Sequence, residues 1–273
     1  MEKKSPEKRR NKYHVVIMAG GGGTVSLPGR SPCPRALAEL NGRRLLDYML
    51  DAVRESSRLA DAVLVTSSGQ AEAFRQVEGL QVAVCDGTMP ETAYAGVRFL
   101  RERHGDGVTH VVTLCDDLPF LTGEALDDFV EKAEKLEADG VYALVPEADC
   151  LAQHPTLRRT FFPLKEGRFT GGNVSLVSVD VFPGCIGKIN QVFAMRKKPA
   201  KLAGWLGIGF ILKFIFRRLG LPDIESRLHD LFGLTGRTVI TSYASIGTDI
   251  DHPEEWKEAE KYLARREEEP AGR

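Results

Sequence analysis

VVIMAGGGGTVSLPGRSPCPRAL, residues 15–37, carries a short β-branched and aliphatic run straight into four consecutive glycines. A run that breaks at Ala19, Gly20, Gly21, Gly22, Gly23 and Thr24 predicts a buried strand opening into a loop with almost no side chains. Glycines let backbone approach an anion closely and turn successive amide N–H groups toward it. Arg35, directly behind Pro34, supplies the positive charge that a polyphosphate demands. The plainer alternative is a glycine-rich surface turn.

Two familiar phosphate motifs do not fit. The P-loop needs Gly-Lys-Ser/Thr after its first glycine and four residues, yet no lysine occurs between Lys12 and Lys132. The dinucleotide fingerprint needs a third glycine three residues beyond the second. Here Gly20 and Gly22 lead to Val25, and Gly21 and Gly23 lead to Ser26.

Outward from this stretch, strand patterns at 14–18, 62–66, 82–85 and 110–114 alternate with helical patterns near 43–55, 70–77, 92–103 and 123–137. Such alternation predicts βαβ units and a mostly parallel sheet covered on both faces. Further strands are expected at 141–145, 160–164, 174–179 and 238–241, with a helical region from about 188 to 231. The expected architecture is a Rossmann-like three-layer αβα sandwich with a mostly parallel mixed sheet. Ligands should lie at the carboxyl ends of its strands.

Asp116 and Asp117 stand just past the apolar strand VTHVVTL, where the glycine loop should also open. Magnesium prefers carboxylate, water and phosphate oxygens, so a metal–nucleotide site is the expectation there. The alternative role for Asp117 is capping the helix entered through PFLTGEAL, for which Thr122 competes. No Cys, Ser or His arrangement suggests a covalent nucleophile or a zinc site.

With MAGGGGT at 18–24, PRALAELNGRRLLDYML at 34–50, DLPFLTGEAL at 117–126, FTGGN at 169–173 and DIDHPEEW at 249–256, the chain resembles the MobA-like NTP transferase family. These are Rossmann-like nucleotidyltransferases of the GT-A type, and the motifs occur in the family's order. Val25 stands where a basic residue is usual, and Arg35 where lysine is usual. The resemblance implies Mg2+-dependent transfer of an NMP from an NTP to a small phosphorylated acceptor, releasing pyrophosphate. It implies nucleotide binding by Ala19, Gly20–Gly23, Thr24, Arg35 and Thr92, and metal binding by Asp117 and Asp251, with Asp249 as runner-up. Asp251 could equally cap the helix that begins at Pro253. Arg35 and Asp117 become the expected catalytic pair. For the acceptor, RRTFFPLKEGRFTGGN offers Arg158, Arg159 and Lys165, with Gly171 and Gly172 admitting a ligand beside Asn173. Two other readings stay open: a non-catalytic nucleotide sensor, favoured by Val25 and Arg35, and a GT-A-type glycosyltransferase, which would ordinarily show Asp-x-Asp.

The 273 residues, 42% hydrophobic and 27% charged, suit one large domain spanning 13–258, between a basic disordered tail at 1–12 and a charged helix end at 259–273. Five cysteines without CxxC spacing fit a reduced, cytoplasmic protein. Net charge is −1, but eight Lys or Arg and no acid lie between Asp180 and Asp223, leaving the rest of the chain acidic and nucleic acid an unfavoured partner. Within that segment LAGWLGIGFILKFIF, 202–216, is apolar on every helical face except Lys213 and falls short of a membrane span. It is expected either to be buried against the domain or a homodimer partner, or to make peripheral membrane contact together with the basic residues of 196–218.

Overall fold

The computed structural model describes residues 12–20, 23–26, 31–195, 199–251 and 253–268. Eight strands build its main sheet: β1 (Tyr13–Ala19), β2 (Leu59–Thr66), β3 (Gln81–Val84), β4 (His110–Cys115), β5 (Gly140–Pro146), β6 (Phe162–Leu164), β7 (Gly167–Ser178) and β8 (Gly236–Ile240). Their order is β3-β2-β1-β4-β7-β5-β8, with β6 paired to β7. The β1, β2, β3 and β4 neighbours pair in parallel, as do β5 and β8. Strand β7 runs antiparallel to both β4 and β5, which makes the sheet mixed.

Strand β1 shows why its own stretch of sequence does not alternate apolar with polar. Val15, Val16 and Ile17 are all fully buried, because a parallel strand sandwiched between helices has no wet face. Val15 and Ile17 pack on one side with helices α1 (Leu45–Glu55) and α4 (Gly123–Glu134). Val16 faces the other side, against α3 (Met89–His104). A Cβ added at Gly96 of α3 would meet Val16 Cγ1 at 2.4 Å. That glycine sets how closely the helix approaches the sheet.

Short helices α2 (Ala71–Arg75) and α5 (Glu147–Gln153) complete the connections before the helical subregion. The subregion comprises α6 (Val181–Met195), α7 (Pro199–Leu206), α8 (Ile208–Ile215) and α9 (Leu221–Phe232). The apolar run at 202–216 is not one helix. Gly207, at φ +88°, breaks it where an L side chain would be strained. Burial of the run against the domain is not what the structure shows for its second half: residues 212–216 and Ile208 are exposed. The inner residue Phe210 instead packs with Leu144, Leu164, Phe169 and Leu219.

The last helix, α10 (Pro253–Glu268), passes through position 258 without interruption. Trp256, Ala259 and Leu263 lie buried in the same core as α1 and α4, so the packed domain extends beyond that position. The basic stretch 1–11, Gly21, Gly22, Arg196, Lys197, Lys198, His252 and the final residues 269–273 lie outside the described residues.

Candidate active site

Arg35, Asp117, Asp249 and Asp251 come together at the carboxyl edge of β1 and β4. Strand β1 delivers Ala19 and Gly20 there. A Cβ at Gly20 would lie 2.6 Å from Thr92 Oγ1, so only glycine allows the loop to rest on the first turns of α3. Thr92 is 1% exposed and donates its hydroxyl to Thr88 O at 3.0 Å. It therefore supports the glycine loop from beneath, and a direct reading of a base by its side chain does not fit this burial. Thr88 caps α3, its hydroxyl oxygen accepting from the Glu91 N–H. Two glycines of the expected phosphate loop, Gly21 and Gly22, lie outside the described residues.

After Gly23 the chain makes a small ribbon: Thr24 and Val25 pair antiparallel with Pro34 and Cys33. The partly buried Val25 packs on the core, which accounts for an apolar residue at a position where a basic one was expected. The ribbon turns Arg35 inward. Its Nη1 donates to Asp117 Oδ2 at 2.6 Å and to Asp251 Oδ1 at 2.8 Å.

Asp117 follows β4 and is buried. Thr122 takes the N-cap of α4, accepting from Ala125 N at 3.1 Å, which leaves Asp117 to the cleft. The backbone itself ties the distant segment in, since Ile250 N–H donates to Asp117 O at 3.1 Å. Asp251 is exposed, and its own N–H donates to Glu255 Oε2 at 2.9 Å. Asp249 points into the same space, accepting from Arg159 Nη1 at 2.9 Å and Asn173 Nδ2 at 3.3 Å. Arg159 also donates to the Asp249 carbonyl. One carboxylate oxygen from each of Asp117, Asp249 and Asp251 lies within 4.8 Å of the others.

Crowding like charges at a buried edge has an electrostatic consequence. Burial, then Asp116 and Asp249, push the Asp117 carboxyl up to about 8, against the opposing pull of Arg35. Burial raises Asp116 to about 6. Asp249 is also raised by burial, with Arg159 opposing. Asp117 Oδ1 is buried without a hydrogen-bond partner among the described residues. An orphaned carboxylate oxygen facing two other carboxylates suits a hard divalent cation. The donor set fits magnesium or manganese.

The acceptor-side residues separate. Asn173 and Arg159 reach Asp249, so Arg159 is already committed to a carboxylate. Arg158 is exposed. Lys165 sits at the β6–β7 turn with its N–H on Leu219 O, about 20 Å along β7 from Asn173; the structure does not bring it to the carboxylates. A Cβ at Gly172 would meet Ala143 Cβ at 2.7 Å and Ile246 Cγ2 at 3.0 Å. Its smallness serves packing against β5 and the 244–247 turn, not ligand access. The pairing of Arg159 with Asp249 was not foreseen from sequence, although an exposed-looking Arg-Arg pair shortly before an Asn-bearing strand was its only trace.

A sequence profile of the MobA-like NTP transferase domain matches residues 15–173. This chain belongs to the MobA-like NTP transferase family. The match spans the glycine loop, Arg35 and Asp117 but ends at Asn173, so only geometry sets Asp249 and Asp251 beside the matched residues. Among functionally curated proteins none matches. The fold is shared with solved nucleotidyltransferases. A hypothetical transferase from Thermus thermophilus is 27% identical with TM-score 0.75, covering 90% of this chain and 99% of its own. A 4-diphosphocytidyl-2C-methyl-D-erythritol synthase from Anaerococcus prevotii is 13% identical with TM-score 0.55, covering 93% and 97%. A CMP:2-keto-3-deoxy-manno-octonic acid synthetase complexed with CTP is 13% identical with TM-score 0.55, covering 94% and 100%. Among the described residues no helix is long and apolar enough to cross a membrane.

Proposed function

We propose that this MobA-like chain is a divalent-metal-dependent nucleotidyltransferase that moves an NMP from an NTP to a small phosphorylated acceptor and releases pyrophosphate. The observation that carries the reading is the convergence of Asp117, Asp249 and Asp251 within 4.8 Å, beside Gly20, Gly23 and Arg35 at one sheet edge. Asp117 with Asp249 or Asp251 would hold a magnesium ion, which when bound would offset the negative charge of the polyphosphate.

An acceptor oxygen attacks the α-phosphorus in line, and the bond to the bridging oxygen of pyrophosphate breaks. Backbone N–H groups of the glycine loop steady the phosphates. Arg35, whose Nη2 lies about 4.0 Å from where a Gly23 Cβ would stand, meets charge gathering on the α-phosphate and leaving group. Catalysis of this kind is positioning and electrostatics, without a covalent intermediate. Asn173, able to donate and accept, is the nearest candidate for orienting the acceptor.

Incubating the protein with each of the four NTPs, magnesium and a pool of phosphorylated metabolites, then assaying pyrophosphate, tests the reading. Acceptor-dependent pyrophosphate supports it. Nucleotide binding without turnover across a broad acceptor screen would replace it with a sensing role.

A further inference from the structure

Helix α8 is apolar on two sides. Its inner residue Phe210 is packed on the hairpin of β6 and β7 together with Leu164, Phe169 and Leu219. Its outer residues Ile208, Leu212 and Ile215 follow one another at i, i+4 and i+7, the spacing of a single helical face. Ile208 is 81% exposed and Ile215 63%, and Phe216 just beyond the helix is 67% exposed. A cluster of large apolar side chains at this exposure marks an interaction surface.

The cluster has a cationic border. Lys213 is held by Asp223 at 2.6 Å, but Arg217 and Arg218 are exposed, and among the described residues neither has an acidic partner. No Asp or Glu occurs anywhere from 181 to 222. A second copy of this chain is a poor occupant, because pairing the patch on itself brings two cationic borders together with no acid in 181–222 to offset them. A protein partner would need a matching apolar groove with an acidic rim. An anionic bilayer supplies apolar depth and negative headgroups together, with no shape to match.

We infer that residues 208–218 form a peripheral docking surface for anionic lipid bilayers, with Ile208, Leu212, Ile215 and Phe216 entering the acyl boundary and Arg217 and Arg218 at headgroup level. The helix is about 12 Å long and lies in the interface instead of crossing it. The subregion touches the first turn of α3 through α6, where Asn190 meets Thr88 at 2.6 Å, and on its other side Leu219 pairs with Lys165, away from the carboxylates. The inference does not depend on the chain being a transferase.

Sedimentation of the full chain with vesicles of phosphatidylcholine alone, or mixed with phosphatidylglycerol, tests it at low and high salt. Binding is expected to the mixed vesicles at low salt and to weaken with salt. The triple variant Ile208→Ser/Ile215→Ser/Phe216→Ser should lose at least about tenfold in partitioning. Arg217→Gln/Arg218→Gln should lose roughly thirtyfold at low salt. All five positions are exposed, and unchanged thermal unfolding of the variants verifies that the fold is kept. Absence of binding to anionic vesicles, or equal binding by the triple variant, overturns the inference. So does a concentration-dependent dimer abolished by the triple variant in a protein that ignores vesicles.

Discussion

Arg35 Nη1 lies 2.6 Å from Asp117 Oδ2, across 82 residues of chain. The same nitrogen bridges to Asp251, so one guanidinium stands between two carboxylates of the set that suits a divalent ion. Arginine and metal are therefore rivals for the same negative charge, and a nucleotide's phosphates offer Arg35 another place to go.

Arg35→Gln separates those roles. With no nucleotide present the variant should bind Mn2+ severalfold more tightly than the parent, because the competing cation is gone. Its turnover with NTP should nonetheless fall by about 10²–10³, the usual cost of removing one transition-state charge donor. Titration calorimetry with Mn2+ reads the first effect and pyrophosphate release the second. Unchanged metal affinity would mean that the guanidinium does not guard the site.

Asp117→Asn should abolish metal-dependent turnover and yet make the protein more stable. Its folded carboxyl, at about 8, sits above the ordinary carboxylate range, so folding favours the protonated form. That contribution is present at acid pH and is lost as pH rises toward 8. A neutral isostere escapes the loss. A gain of ~1 kcal/mol near neutrality, about 2–4 °C in Tm, is expected by calorimetry, with the gain vanishing at acid pH.

Gly20→Ala forces a methyl group against Thr92. Overpacking of this kind costs about 1–3 kcal/mol, and the loop above the helix is the part able to shift. NTP affinity should fall about tenfold. Adding Thr92→Ala leaves the remaining Cβ at 3.4 Å from the new methyl, an ordinary contact, so the double variant should recover most of the affinity. Isothermal titration of all three proteins checks the coupling; strict additivity would deny it.

His154 gives the fold an acid-sensitive point. It is buried between Phe120 and Tyr262, with ring centroids at 4.8 and 4.5 Å. Burial, then Arg159 and Arg266, lower its pKa from 6.5 to about 4. The unfolded chain therefore takes up the proton first as pH falls. Stability from the neutral ring is complete above about pH 6.5 and declines toward pH 4, by about 2 kcal/mol at pH ~5. Urea midpoints at the two ends of that range should differ accordingly, and His154→Phe should flatten the difference.

The sheet and its helices were legible because burial on both faces writes itself as apolar runs such as VVIM and VVTL, bounded by glycine and charged helices. The glycine loop and Asp117 were legible for the same reason, since both interrupt such runs at a strand's end. Side-chain direction was not. Thr92 looked like a ligand and is the floor under Gly20; Gly172 looked like an opening and is a packing contact with Ala143 and Ile246. Pairings between remote charges, such as Arg159 with Asp249, leave no periodic trace. Nor did composition reveal that Gly207 would divide the apolar run and turn half of it outward.

Helix α10 is fastened by Trp256, Ala259 and Leu263, and it begins two residues after Asp251. Because a ribosome makes the chain from its amino end, the glycine loop and Asp117 emerge long before the segment that completes the acidic cluster. Until that final helix seats itself, a nascent molecule lacks a full set of oxygen donors. A polypeptide cut short before residue 249 would keep Arg35 and Asp117 but lack two of the three clustered carboxylates.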